Sequence, residues 1–241
     1  MNSLESSNQL ENRATAPFAS FIGMGLILTL LAIAASAQTY DAARQFSLKI
    51  NTDTSRWSYR YNTTGTRDGN YTLLTDVERF GSKWYNDKGK EVAVYNWQVD
   101  PTTGPAIFAN KRNSPIHTNY CCGRVVLPKW SIFNHPTTST HLGDSVLSFL
   151  VPTGGTVTVK YRFTDIDPWG GNGIRWYVDL NSGVNGDLYS GKLHSTPGHI
   201  RTTGTRTFQI QVAKGDRLNF IIDSNSDWNF DSTAVIAIVS Y

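Results

Sequence analysis

The sequence runs to 241 residues, with 22 Lys and Arg against 19 Asp and Glu and a formal net charge of +3. That charge is mild and carries no block of like sign, so the basic stripe expected of a nucleic-acid binder is missing. Only two cysteines are present, adjacent at Cys121 and Cys122, which excludes the disulfide framework common in small secreted domains.

Phe18 to Ala37 (FASFIGMGLILTLLAIAASA) is apolar and uncharged and ends in Ala-Ser-Ala. This pattern predicts a secretory signal helix over residues 1–37, cleaved at the small-residue site. An uncleaved anchor is the alternative, since about 20 apolar residues can cross a bilayer. Either way residues 38–241 are expected outside the cytoplasm: secreted, in a periplasm or at a cell surface. No linker composition divides them, so they are read as one domain.

Beyond the signal, Phe46, Leu48 and Ile50 alternate and predict a first strand. Trp57, Tyr59 and Tyr61 share one face of the next, with Ser58, Arg60 and Asn62 on the other. Trp84 and Tyr85 precede a turn at 86–89, Val92, Val94 and Asn96 line one side of a further strand, and Pro105 to Ala109 is a short apolar run. Residues 112–123, which carry the cysteine pair, read as an irregular connection. The second half alternates more cleanly. Val146–Val151 is a core strand; Val157, Val159, Tyr161 and Phe163 share a face, as do Ile174, Trp176, Val178 and Leu180; and 188–193 is a further strand. Three runs close the chain: Phe208/Ile210/Val212, Leu218/Phe220/Ile222, and the almost wholly apolar 234–241. Short strands with Gly-rich turns and no helical period predict an all-β antiparallel sandwich of jelly-roll type.

No G-x-S-x-G, H-E-x-x-H or phosphate-loop motif occurs. The histidines at 117, 135, 141, 194 and 199 show no partner spacing. Catalytic residues are therefore expected to be none. Asn62-Thr-Thr and Asn70-Tyr-Thr match the glycosylation sequon, which matters only in a eukaryotic source.

Two loops are rich in ligand-type side chains. In the first, Asp165-Ile-Asp167-Pro-Trp169-Gly-Gly-Asn172-Gly173 lies between two good strands, and Arg175 follows. A Trp flanked by glycines, ringed by Asp and Asn, can cover the apolar face of a sugar while the polar groups bond its hydroxyls. The competing reading folds Trp169 back over the sheet end and leaves Asp165 and Asp167 to satisfy turn amides. Trp228, in the second loop, poses the same choice. There Asp223, Asn225, Asp227 and Asp231 place oxygen donors at alternate positions, as at the start of a calcium loop. Trp228 stands where an EF-hand needs Gly and no Glu follows at position twelve, and Asn- and Asp-rich turns need no metal. No cofactor is required by the sequence, and calcium is the one candidate.

Trp57-Ser-Tyr59, Pro105-Ala-Ile-Phe-Ala-Asn-Lys111, Ile132-Phe-Asn-His-Pro136, Gly215-Asp216, Phe220-Ile-Ile-Asp223 and Asp231-Ser-Thr233 recur in that order. Over residues 45–241 the chain resembles exported bacterial β-sandwich modules of the galactose-binding-like, carbohydrate-binding jelly-roll group. It departs from the commonest form at Tyr59-Arg60-Tyr61, where Gly after Tyr is usual. The resemblance implies a non-catalytic module that binds a polysaccharide or other glycan. A structural subunit of an extracellular layer or filament, joined through Cys121 and Cys122 or strand edges, is the alternative; a glycan-acting hydrolase or lyase is a further one.

Overall fold

The computed structural model describes residues 38–62, 69–99, 105–120, 123–136, 143–181, 187–227 and 229–241. The expected signal segment, the cysteine pair, His141 and Trp228 lie outside the described residues. Among those residues no helix is long and apolar enough to cross a membrane.

Apart from one helical turn at Ala42–Gln45, the described elements are strands paired antiparallel in three sheets. The first sheet orders strands Arg201–Thr202, Gly155–Asp165, Thr233–Ser240, Ser131–His135, Ala106–Asn110, Tyr95–Gln98 and Asp76–Arg79. Thr39–Asp41 adds to the C-terminal strand and Arg206–Val212 to the lower half of Gly155–Asp165. The second sheet orders Asp187–Leu193, Ile174–Leu180, Arg217–Asp223, Ser145–Leu150, Trp57–Tyr61 and Thr72–Leu73. A small third sheet joins Gly123–Leu127, Ile116–Tyr120, Trp84–Asn86 and Glu91–Val92.

The first two sheets face each other as a sandwich because their alternating apolar residues have one dry place to go. Phe163 of the first sheet stacks on Trp176 of the second at 5.2 Å, and Tyr59 of the second on Trp97 of the first at 6.2 Å. Val157, Val159, Tyr161 and Phe163 are all wholly buried, as are Leu218, Phe220 and Ile222.

Two expectations change. Phe46 to Ile50 is not a strand. Its backbone is held by side chains instead: the Ser47 carbonyl accepts from Trp97 Nε1, the Phe46 carbonyl from Lys111 Nζ, and the Ser47 amide donates to the Tyr59 hydroxyl. Ile50 is left exposed. Within 112–123, expected to be irregular, Ile116–Tyr120 is a strand paired antiparallel with Gly123–Leu127, and its polar His117 and Asn119 occupy the face opposite buried Ile116 and Thr118. Ser58 and Arg60, set by alternation opposite Trp57 and Tyr59, are buried as well, on the outer face of the second sheet.

Candidate functional site

Two long loops cross between the sheets at one end of the sandwich. One, 166–173, leaves the strand ending at Asp165 and enters the strand starting at Ile174. The other, 224–232, leaves Asp223 and enters at Thr233. Because Asp165 pairs with Thr233 and Arg175 with Asp223, the loops are neighbours at both ends and lie against each other along their length. The Ile166 amide donates to the Ser232 carbonyl at 2.9 Å, and the Ser232 amide to Asp167 Oδ2 at 2.7 Å. Asn172 Nδ2 donates to the Asn225 carbonyl, and Asn225 Nδ2 returns a bond to the Asn172 carbonyl. Gly171 fits only because it lacks a Cβ, which would strike the Asn229 carbonyl oxygen.

This zipper decides where each sugar-site candidate points. Asp165 is wholly buried, its two oxygens accepting from the Asp167 and Ser195 amides. Burial nevertheless pushes its carboxyl up to about 7. Asp167 is buried with Oδ2 on Ser232, and Asn172 is spent on the loop partner. Trp169 is different. At 51% exposure it is the most open Trp among the described residues, set in the turn between Pro168 and two positive-φ glycines, Gly170 and Gly171. Arg175 is exposed on the outer face of the second sheet, opposite Asp223 and Lys192 in the ladder.

The metal candidates separate likewise. Asp223 Oδ1 accepts the Asn225 amide, and Asp227 Oδ1 accepts from the backbone and side-chain nitrogens of Asn229. These are turn-forming bonds that need no ion. Asp231 is wholly buried, and neither of its oxygens has a hydrogen-bond partner. Burial first, then the charges of Asp165, Asp227, Asp167 and Asp223, drive its carboxyl to about 9. Asn172 Oδ1 is a third buried, unpartnered oxygen in the same pair of loops. Among the described residues, no three His, Cys, Asp or Glu side chains are grouped as a ready metal shell.

Sequence reading missed the cavity that adjoins this loop pair, about 270 Å³ in volume. Phe80, Trp84, Phe133 and Phe230 supply its aromatic walls, and Thr118, His135, Asp167 and Ser232 its polar groups. The aromatic walls pack edge to face and in parallel: Phe108 stacks behind Phe133 at 4.4 Å, and Trp84 meets Phe133 edge-on at 5.7 Å. Phe230 sits at φ +65, a conformation that disfavours a bulky side chain and that surrounding structure must enforce. His135 donates from Nδ1 to the Pro136 carbonyl at 2.8 Å, which makes Nε2 the acceptor of the neutral ring. Burial lowers its pKa against the raising influence of that bond and of Asp167, which favours the neutral form.

No family model matches the sequence, and no curated protein matches it. Similar solved structures include the native family 35 carbohydrate-binding module from Clostridium thermocellum, at 9% identity over 68% of this chain and 98% of the module, with a TM-score of 0.28. The K1 cleaved adhesin domain of Lys-gingipain from Porphyromonas gingivalis is similar at 11% identity over 86% of this chain and 98% of the domain, TM-score 0.35. The C-terminal family 6 carbohydrate-binding module of a marine laminarinase from Zobellia galactanivorans is similar at 14% identity, 76% and 98% coverage and a TM-score of 0.25. Carbohydrate-binding modules thus stand among the structures similar to this chain, in line with the resemblance in sequence. At such identities and scores no ligand carries over from them.

Proposed function

We propose that the chain is an exported β-sandwich of jelly-roll type whose loop end binds a carbohydrate without turning it over. The observation that carries this reading is Trp169, an exposed indole on a loop pinned to its neighbour, two residues from Asp167 in the wall of an aromatic cavity. Apolar faces with a few convergent polar groups are what a sugar ring requires: C–H surfaces stack on aromatic rings while hydroxyls take the hydrogen bonds. Trp169 supplies the outer platform. Asp167, His135 and Ser232 supply donors and acceptors within the cavity. Arg175 reaches hydroxyls from the adjoining sheet face. One platform and a few hydrogen bonds give an affinity on the order of micromolar to millimolar. A glycan array of residues 38–241, followed by calorimetry on each hit, tests the assignment. Trp169→Ala should weaken binding at least about tenfold, with the melting temperature unchanged; an unaltered isotherm removes Trp169 from the site.

A second reading concerns calcium, favoured by the three buried oxygens of Asp231 and Asn172 that lack donors. A hard cation takes six to eight oxygens, and the donor chemistry of this loop pair is all oxygen. Asp231 and Asn172 would hold the ion, which would supply the positive charge that the buried carboxylates lack. Calcium should then raise the melting temperature above that in EDTA, by several degrees at saturating ion. Identical curves with and without calcium would sink it.

A further inference from the structure

The outer face of the second sheet carries a hollow of about 210 Å³ remote in sequence from Trp169 and lined by Arg60, Tyr71, Asn181, Arg217 and Asn219. Sheet register explains how it forms. Ser58, Ser148, Asn219 and Asp179 stand in one row across four strands, all buried. Arg60 comes from the row beside it. Its Nε donates to Ser58 Oγ at 2.9 Å, Nη1 to the Tyr71 carbonyl at 3.0 Å and Nη2 to Asp53 Oδ1 at 2.5 Å. Arg217 approaches from the other side, with Nη1 3.5 Å from Ser58 Oγ and Nη2 donating to the Asp53 carbonyl and lying 3.9 Å from its carboxylate.

Two guanidiniums therefore converge on a single carboxylate, and the three side chains differ sharply in freedom. Arg60 is 8% exposed and Arg217 24%, whereas Asp53 is 74% exposed. The cations are built into the sheet; the anion is a loop side chain lying over them. Arg217 is destabilised in its charged form, first by burial and then by Arg60, and only partly relieved by Asp53. Beneath them, Ser148 Oγ and Asn219 Oδ1 are buried without partners, Asn219 having spent its amide hydrogen on Asp179 at 2.7 Å. A hollow with fixed cations, a displaceable anion and an unused amide oxygen, that of Asn219, is matched to an oxyanion carried on a hydroxylated body.

We propose that this hollow binds the anionic substituent of an acidic glycan, a carboxylate or a sulfate ester, in exchange for Asp53. The incoming oxyanion takes the Arg60 and Arg217 donors, Asp53 swings to water, and a sugar hydroxyl bonds Asn219 Oδ1 in the lining. The choice of a glycan rests on the loop-end reading; the anion requirement does not.

The test titrates the full chain with trigalacturonate, with a sulfated galacto-oligosaccharide and with the neutral galacto-oligosaccharide of equal length. At least one anionic ligand should bind about tenfold or more tightly than the neutral one and lose affinity as salt rises. Asp53→Asn removes the internal competitor and should tighten anion binding severalfold; the Asn side-chain oxygen keeps an acceptor for Arg60, and a melting curve taken without ligand checks that the variant is folded. Arg217→Gln should weaken anion binding about tenfold and Arg217→Lys less, because Lys keeps charge without the fork. The two anionic arms tell carboxylate from sulfate. Equal affinity for charged and neutral ligands, or an Asp53→Asn protein that binds the anion no better than the parent, overturns the proposal. Anion binding that responds to Asp53 and Arg217 but not to Trp169→Ala upholds it even if the loop end binds no neutral glycan.

Discussion

The loop end and the outer face of the second sheet both take charge out of water, but with opposite sign and opposite provision. At the loop end Asp165 and Asp231 are wholly buried and Asp167 nearly so; Asp165 and Asp167 accept backbone amides, Asp231 accepts nothing, and among the described residues none of the three has a cation beside it. On the sheet face Arg60 is almost as deeply buried, yet it has three partners, one of them a carboxylate. The difference is visible in the titration directions. Asp53 is held below the usual carboxylate range, first by its hydrogen bond from Arg60 and then by that charge. Asp165 and Asp231 are driven up. Burying a charge is tolerable when a partner comes with it and costly when none does. The sheet face thus pairs its buried guanidiniums with a carboxylate, whereas the loop end is short of positive charge and must take up a proton or a cation.

The largest effect should come from breaking the contact that keeps the loop-end carboxylates dry. Gly171 has φ +79, and a Cβ there would meet the Asn229 carbonyl oxygen. Gly171→Ala cannot be accommodated by a rotamer change, because the obstacle is backbone. The two loops should separate at a cost on the order of 2–4 kcal/mol, read as a lower denaturation midpoint. Neutral-glycan binding at the loop end should fall with it, while anion binding on the sheet face is kept. Loss of both together would mean that the two regions are not independent.

How much of this contrast can be read before folding depends on the range of the signal. The strands of the second half announce themselves, because alternation at 157–163, 174–180 and 218–222 is a local property. The loops at 165–173 and 223–231 stand out by composition, and the exposed Trp169 follows from glycines on its C-terminal side. What composition cannot say is that the two loops meet, since that is fixed by Asp165 pairing with Thr233 and Arg175 with Asp223. Hence Asp231 reads as one of four equivalent ligand positions, although Asp223 and Asp227 are occupied by turn amides and Asp231 alone is orphaned. The cavity leaves still less trace. Phe80, Trp84, Phe133 and Phe230 come from distant segments, and the positive φ of Phe230 has no residue-type signature. On the sheet face, alternation sets Ser58 and Arg60 opposite Trp57 and Tyr59 and leaves their burial open, because period two distinguishes the two faces of a strand and not whether the second face is also covered.

A smaller and graded effect should follow from pH, and it sharpens the contrast between the regions. The Asp165 and Asp231 carboxyls titrate at about 7 and about 9 in the folded chain, against about 3.9 when unfolded. Between those values the native state holds more protons than the unfolded chain, so stability is fully present below about pH 4 and declines as pH rises through 7 towards 9. Asp53 has the opposite sign: its depressed pKa contributes stability above the unfolded value that is lost on acidification. It is 74% exposed, so that contribution is small. In EDTA the melting temperature should therefore fall from pH 5 to pH 9. Asp231→Asn, neutral at every pH, should flatten most of that slope, and Asp53→Asn should leave it untouched. If calcium is the natural counter-charge, adding it at pH 8 should restore the parent chain towards its pH 5 value and do little for Asp231→Asn. A parent chain whose stability rises from pH 5 to pH 9 in EDTA would mean that Asp231 is paired with a cation of the protein itself, and that the two regions bury charge by the same rule.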